Sequence, residues 1–298
     1  MELFNNQGMA FTIEGLSLKI LTFSRKKIVS WYSVPLNQNF VKDGVVAAPQ
    51  DVGRVMAETM QEKGVPRGSV VSSLPSTGSA SQVLSVPRLK GGKLGEVVMR
   101  EVRRVMPGAM DLDYIYWQPI ANGSKSTPKQ SVFTLAVPKA NVINMVEICN
   151  SAGIKLKGLE LRPFALTRAV NCRSGIIVHG EIDTIEIVIV DKAFPSMFRN
   201  IPVKDANPSP EAAWQHLIRE LPFTIDYHNR SHNDSGINAE TPIYLSGGLA
   251  AVDPEMGTRL EKAAGRKVAR IEPPAGMPEN FPLEQYLVNV GLMLKAKW

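Results

Sequence analysis

An internal echo constrains this chain more than any other feature. The stretch Ile176–Val203, IIVHGEIDTIEIVIVDKAFPSMFRNIPV, reads as two alternating strands, a charged turn and a third strand. Moved back by 167 positions (179 − 12), it lies without a gap on Thr12–Leu36, TIEGLSLKILTFSRKKIVSWYSVPL. Glu181 then falls on Glu14, Ile187 on Ile20 and Pro202 on Pro35. Conservative pairs agree: Ile185 with Leu18, Val188 with Leu21, Lys192 with Arg25, Phe198 with Trp31 and Ile201 with Val34. Alternating apolar residues recur in any β-rich chain, so chance can supply a few of these matches, but duplication is the better reading. The gapless match predicts two equivalent three-stranded units produced by duplication.

The 298 residues suffice for about two domains with real cores, and 44% hydrophobic with 21% charged residues is ordinary globular composition. Two cysteines, Cys149 and Cys172, stand in neither CxxC nor zinc-ligand spacing. They are expected to be inert core thiols in a reducing compartment. The opening MELFNNQGMAFTIEG has no basic segment followed by an apolar core, and no apolar run reaches membrane-span length, so a soluble cytoplasmic protein is expected. The net charge of +6 comes from 34 Lys and Arg against 28 Asp and Glu, with pI near 9.3. The basic clusters at Arg25–Lys27, at Arg88, Lys90 and Lys93, and at Arg100, Arg103 and Arg104 read as dispersed and lack interleaved aromatics. No specific nucleic-acid partner is expected, and membrane contact is peripheral only.

After the first unit, Asp51–Gly64 has helical spacing with Asp51 as N-cap, and Ser69–Pro75 is a short β-branched strand. From Gln82 to about Ile154 the texture changes to strand, helix, two strands and helix, an inserted α+β unit. In its first helix Leu94, Val97, Val98, Val102, Val105 and Met106 share a face largely opposite Arg100, Glu101, Arg103 and Arg104, which reads as a solvated basic face, and Pro107-Gly108 ends the helix. Ala121–Gln130 is a hairpin loop and Asn141–Ser151 a second helix. Ile154–Leu161 returns as a strand, Pro163 opens a helix, and the second unit follows. Ser209-Pro210 opens a long helix that Pro222 should kink or interrupt. Ile243–Ala250 is a strand ending in Gly247-Gly248, Asp253–Gly265 a short helix, and Leu283–Lys297 the closing helix.

Enzyme motifs are scarce. Ser76–Ser81 lacks a GxSxG frame, Gly91-Gly92-Lys93-Leu94 lacks the spacing and hydroxyl of a P-loop, and His228 with His232 has no HExxH frame or third ligand. The two histidines read as a solvated helix end. No catalytic residue and no metal-ligand set is assigned.

The turns and the later glycine pair carry a resemblance to the PilM family, actin-like proteins of type IV pilus assembly, and more distantly to FtsA of cell division. LIRELPFTIDYH (217–228) resembles the helix before the family's glycine strand, YLSGGLA its adenosine-side motif, LEQYLVNVGLMLKA its closing helix, and SSLPSTGSASQVLSVPRL the approach to its extra subdomain. The resemblance runs end to end. It implies an α/β, actin-like (ribonuclease H-like) duplicated core: a first lobe over 1–175 interrupted by an inserted α+β subdomain at about 82–154, and a second lobe over 176–298 with the closing helix.

In that family the first phosphate hairpin reads Asp-Ile-Gly, then small hydroxyl residues and Lys. This chain has Thr12-Ile13-Glu14, then Gly15, Leu16, Ser17, Leu18 and Lys19. The second hairpin expects Asp-x-Gly and has His179-Gly180-Glu181. Glutamates replace both glycines, and both aspartates that would hold hydrated Mg²⁺ are missing. The resemblance leaves Ser17, Lys19, Thr184, Gly247 and Gly248 as a residual nucleotide cleft, with no cofactor or only weakly held ATP or ADP and no Mg²⁺. It implies a cytoplasmic scaffold at the inner face of the cell membrane. Such a scaffold docks the cytoplasmic tail of a bitopic inner-membrane pilus protein between the first core subdomain and the inserted one, and self-association is a further implication. The alternatives are an active actin-like ATPase of pilus assembly or cell division, and a sugar kinase of the same superfamily, for which no catalytic carboxylate can be identified.

Overall fold

The computed structural model describes residues 7–89, 92–108, 113–120, 128–204, 209–231, 237–253 and 255–295. These fall into two compact units, 78–144 and the rest of the chain. The larger unit begins with a meander of β1 (Gln7–Glu14), β2 (Ser17–Ser24) and β3 (Lys27–Pro35). The small hairpin of β4 (Val41–Lys42) and β5 (Val45–Val46) then leads to α1 (Pro49–Glu62) and β6 (Ser69–Leu74). The smaller unit supplies β7 (Ala80–Pro87), α2 (Gly92–Val105), β8 (Asp113–Pro119) and β9 (Lys129–Pro138). The division between units falls inside α3 (Lys139–Ser151). The chain continues through β10 (Leu156–Leu161) and α4 (Arg162–Val170) to a second meander of β11 (Gly175–Gly180), β12 (Thr184–Asp191) and β13 (Phe194–Pro202). It ends with α5 (Pro210–Ser231), β14 (Ile243–Ser246), α6 (Gly248–Val252), α7 (Met256–Ala264), β15 (Val268–Ala269) and α8 (Leu287–Leu294).

The two sheets, ordered β10-β6-β1-β2-β3 and β13-β12-β11-β14-β15, are copies in detail. Each first strand is antiparallel to the second and parallel to a strand beyond a helix, with Phe11 opposite Ser72 and Val178 opposite Leu245. Register shifts fall at Thr22/Phe23 and at Ile189/Val190, which are equivalent positions. The charged turns match as well: Arg25 and Lys26 have φ of 49° and 64°, Lys192 and Ala193 of 52° and 61°. Paired left-handed residues suit a two-residue hairpin because their twist follows that of the strands. The duplicated three-stranded units are therefore equivalent, and the fold is the actin-like one.

One core joins the two sheets. Ala10 and Leu21 meet their duplicates Ile177 and Val188, together with Ala165 and Leu166 of α4 and Leu287 and Val290 of α8. A fully buried aliphatic side chain contributes about 1.5–3 kcal/mol. The closing helix was expected within a second lobe of 176–298, but it packs chiefly on α4 and β1. A Cβ at Gly291 would lie 2.0 Å from the Ala165 carbonyl oxygen, and Asn289 donates to the carbonyls of Ala10 and Lys19. Its regular part is also shorter than Leu283–Lys297, and residues 296–298 lie outside the described ones.

Other boundaries move for local reasons. Helix α1 starts at Pro49, where a missing N–H costs nothing, and Asp51 is not its N-cap but bonds Arg54 within the first turn. Helix α5 runs through Pro222, anchored to the second sheet on both sides by Leu217 and Ile225. The smaller unit spans 78–144 rather than 82–154, because the end of α3 belongs to the larger unit's core. There Ile148 and Ala152 are buried and Gly53 leaves the room: its Cβ would meet the Ile148 carbonyl at 2.7 Å. Within the smaller unit the sheet β7-β9-β8 carries α2 on one face, with Leu94, Val98 and Val102 against Leu84, Val86 and Val132. Most of the expected hairpin loop, residues 121–127, lies outside the described residues, as do Lys90 and Gly91. Cys149 and Cys172 are buried free thiols, pushed up by that burial to about 12 and about 11. Among the described residues no helix is long and apolar enough to cross a membrane.

Candidate functional site

Duplication brings the two related turns face to face. Glu14 ends β1, and Gly15 turns the chain with φ +56°, a left-handed conformation that glycine adopts without strain. In the second copy Glu181 follows β11, and its N–H donates to the Thr184 carbonyl. The glycine pair enters from β14. Gly247 has φ +93°, and a Cβ there would lie 2.3 Å from the Gly180 carbonyl oxygen, so only glycine fits. The close approach that paired glycines allow is thus spent on another turn of this chain.

Between these turns lies a buried ionic cluster. The Lys19 ammonium donates to Glu14 Oε2 at 2.7 Å and to Glu181 Oε1 at 3.0 Å, and all three side chains are less than a tenth exposed. Glu181 Oε1 also accepts the Gly248 N–H at 2.9 Å. Its other oxygen would lie 2.6 Å from a Cβ on Gly248 and 3.2 Å from one on Gly15. The Glu181 carboxylate therefore occupies the cradle formed by the two glycine-bearing turns. Arg162, at the start of α4, reaches Glu186 Oε2 at 3.3 Å and the Ile13 carbonyl at 3.2 Å, with its Nε 3.9 Å from Glu14. His179 is held by Ser246 Oγ at 3.0 Å through Nδ1, and its Nε2 lies 3.6 Å from Glu14 and 3.8 Å from Glu181.

Burial opposes charge on both members of the central pair and is overcome. It works against ionised Glu14, but Lys19, His179 and Arg162 together hold the Glu14 carboxyl far below the usual range. Burial likewise works against the Lys19 ammonium, and Glu14 and Glu181 raise it above an ordinary lysine. Asp183 is the strained member: burial and then Glu181 push it upward, with Thr184 Oγ1 donating to it at 3.3 Å.

Of the five residues expected in a residual cleft, Lys19 and Gly248 both hold Glu181. Gly247 abuts Gly180, and Ser17 is half-buried across the turn from Glu14. Thr184 packs its methyl where the β4–β5 hairpin bends at Gly44. The glutamates do not turn outward to solvent. Glu14, His179 and Glu181 bring ligand atoms within 4.8 Å of one another, a donor set suited to a small cation, and the Lys19 ammonium already contacts both carboxylates. Sequence reasoning missed Arg162, Glu186, Ser246 and Asn289. Glu186 had a signal, since it is the duplicate of Lys19 at the same offset of 167. His228, expected at a solvated helix end, is fully buried, and His232 lies outside the described residues.

No family model matches this chain, and no curated protein matches it. Solved structures do. The chain of a PilM-PilN type IV pilus biogenesis complex superposes with TM-score 0.78 at 16% identity, covering 98% of each chain. The ethanolamine utilization protein EutJ from Carboxydothermus hydrogenoformans gives 0.56 at 13% identity, covering 97% of this chain and 89% of that one. A filament structure of AlfA from a B. subtilis plasmid gives 0.53 at 11%, over 98% and 100%. The sequence resemblance to PilM is thus matched by a common fold along essentially the whole chain.

Proposed function

We propose that this chain is an actin-like assembly scaffold of type IV pilus or related secretion machinery, with a nucleotide cleft closed by its own side chains. The observation that carries the reading is the Glu181 carboxylate seated on the Gly248 N–H and the Lys19 ammonium. Backbone N–H groups and a lysine are what a phosphate would use, and here an internal anion uses them. A phosphate brought within about 4 Å of Glu181 would meet repulsion on the order of 4 kcal/mol at an effective dielectric near 20. Micromolar affinity is worth only about 8 kcal/mol in all. The residues present do not fit a magnesium nucleotide, and the scaffold reading needs none.

A scaffold acts through surfaces. Docking of a membrane partner's cytoplasmic tail is supported by the end-to-end likeness to a chain solved in a PilM-PilN complex. In the smaller unit, β7 and β8 are both edge strands among the described residues, and the sheet face away from α2 exposes Val83, Tyr114 and Tyr116. Free strand edges with side-chain anchors of that kind suit an extended peptide. The test is co-purification with the tail of a bitopic membrane protein encoded beside this chain. Native protein should retain it, and Tyr116→Asp should weaken capture at least tenfold with an unchanged melting temperature. Equal capture by both forms would take the docking site off this sheet face, and capture by neither would remove the docking role.

A further inference from the structure

The division into units reveals where the charge of this protein resides. Between Gly78 and Asn144 the sequence carries nine Lys and Arg against four Asp and Glu, a net +5 (9 − 4). The whole chain is only +6, so the remaining residues are close to neutral. The positive charge is focused, against the dispersed reading drawn from the sequence. It is also ordered: along α2 the exposed Arg100 lies seven residues beyond exposed Lys93, and the exposed Arg103 and Arg104 lie three and four beyond Arg100, which places them on one helical stripe. The eleven rises from Lys93 to Arg104, at about 1.5 Å each, make the stripe roughly 16 Å long. Exposed Arg88 and Lys129 sit on the neighbouring strand ends, where Pro87 pairs with Lys129. Opposing charge is sparse along the helix: Glu101 is engaged by Arg104 at 2.9 Å, which leaves Glu96.

We propose that the α2 stripe is a direct contact for an anionic lipid surface, made by the smaller unit itself and additional to any membrane protein partner. The apolar face of α2 is committed to Leu84, Val86 and Val132, so the helix has nothing to insert and the contact is electrostatic adsorption. Clustered basic residues are drawn to anionic headgroups within a Debye length, each gaining about fivefold in affinity. A convex helix face offers no groove for an acidic peptide, and no aromatic side chain lies between the stripe's basic residues as stacking on single-stranded nucleic acid requires. A lipid surface needs only an accessible basic face. The proposal is independent of tail docking and of the state of the nucleotide cleft.

The test is co-sedimentation of the purified full-length chain with phosphatidylcholine vesicles, with and without a third of phosphatidylglycerol, in low and high salt. The chain should bind only the anionic vesicles and release in high salt. Arg100→Glu, Arg103→Glu and Arg104→Glu together should reduce binding at least tenfold, and the corresponding Gln triple should give an intermediate loss. As a control of identical charge change, Lys27→Glu, Lys63→Glu and Lys262→Glu alter three exposed lysines of the larger unit and should leave most binding intact. Circular dichroism melts should coincide for all forms. Absence of anionic-vesicle binding, or equal loss in both charge-reversed triples, would overturn the proposal. So would tighter, arginine-dependent binding to an oligonucleotide or to polyglutamate than to the vesicles.

Discussion

Lys19 is the residue on which the cleft depends. Removing one partner of a buried ion pair strands the other charge in a poorly solvated place, at a cost of about 3–5 kcal/mol. Lys19→Met should therefore lower unfolding stability in urea by that amount, and adding Glu14→Gln should return part of it; an additive loss would mean that the two side chains are not coupled. The signs of the shifts define a pH window. Glu14 is depressed from 4.5, so its contribution is present above that pH and is lost as pH falls toward its folded value. Lys19 is raised from 10.5, so its contribution is present below that pH and is lost as pH rises above it. Thermal melts should show a plateau between these limits, with both shoulders weakened in the Lys19→Met, Glu14→Gln protein. Asp183 has the opposite sign to Glu14, since burial and then the neighbouring Glu181 work against its ionised form; Asp183→Asn should raise the melting temperature near pH 7, and a fall would contradict the like-charge contact with Glu181. At this scale the sequence was legible where the echo spoke. Glu14 and Glu181 stood at matched turns, but nothing in the chain announced that Arg162, far from both, would turn into the same cluster.

Elements repeat more faithfully than their residues. The left-handed turns at 25–26 and 192–193 and the shifts at Thr22/Phe23 and Ile189/Val190 coincide, while many side chains around them differ. Backbone geometry is set by alternation and turn chemistry, which tolerate substitution, and this is why strands β1–β3 and β11–β13 could be read directly. The fate of α8 could not, because an almost wholly apolar helix does not say which sheet it covers. Two glycines test the packing at this scale. Gly247→Ala places a methyl against the Gly180 carbonyl at a positive φ, and Gly291→Ala forces α8 away from α4. Each should cost about 1–3 kcal/mol in chemical denaturation, as overpacking does. Gly64→Ala, also at positive φ but with open space around it, should cost less than Gly247→Ala; equal effects would mean that backbone strain alone decides.

On the scale of the whole molecule, a duplicated core has kept the actin-like architecture while its two turns have been drawn together by charges of the chain itself. The architecture was legible because it is written in long registers. The contact between the turns was half legible: Glu14 and Glu181 could be seen at matched positions, whereas the seat of Glu181 on the Gly248 N–H and the Lys19 ammonium is a three-dimensional fact. Calorimetric titration of ATP, with and without Mg²⁺, into the native chain and into Glu181→Gly tests this account most directly. It predicts no measurable binding or turnover by the native chain and a gain of anion affinity once the Glu181 carboxylate leaves Lys19 and the Gly248 N–H; tight Mg²⁺-dependent binding with hydrolysis by the native chain would contradict it.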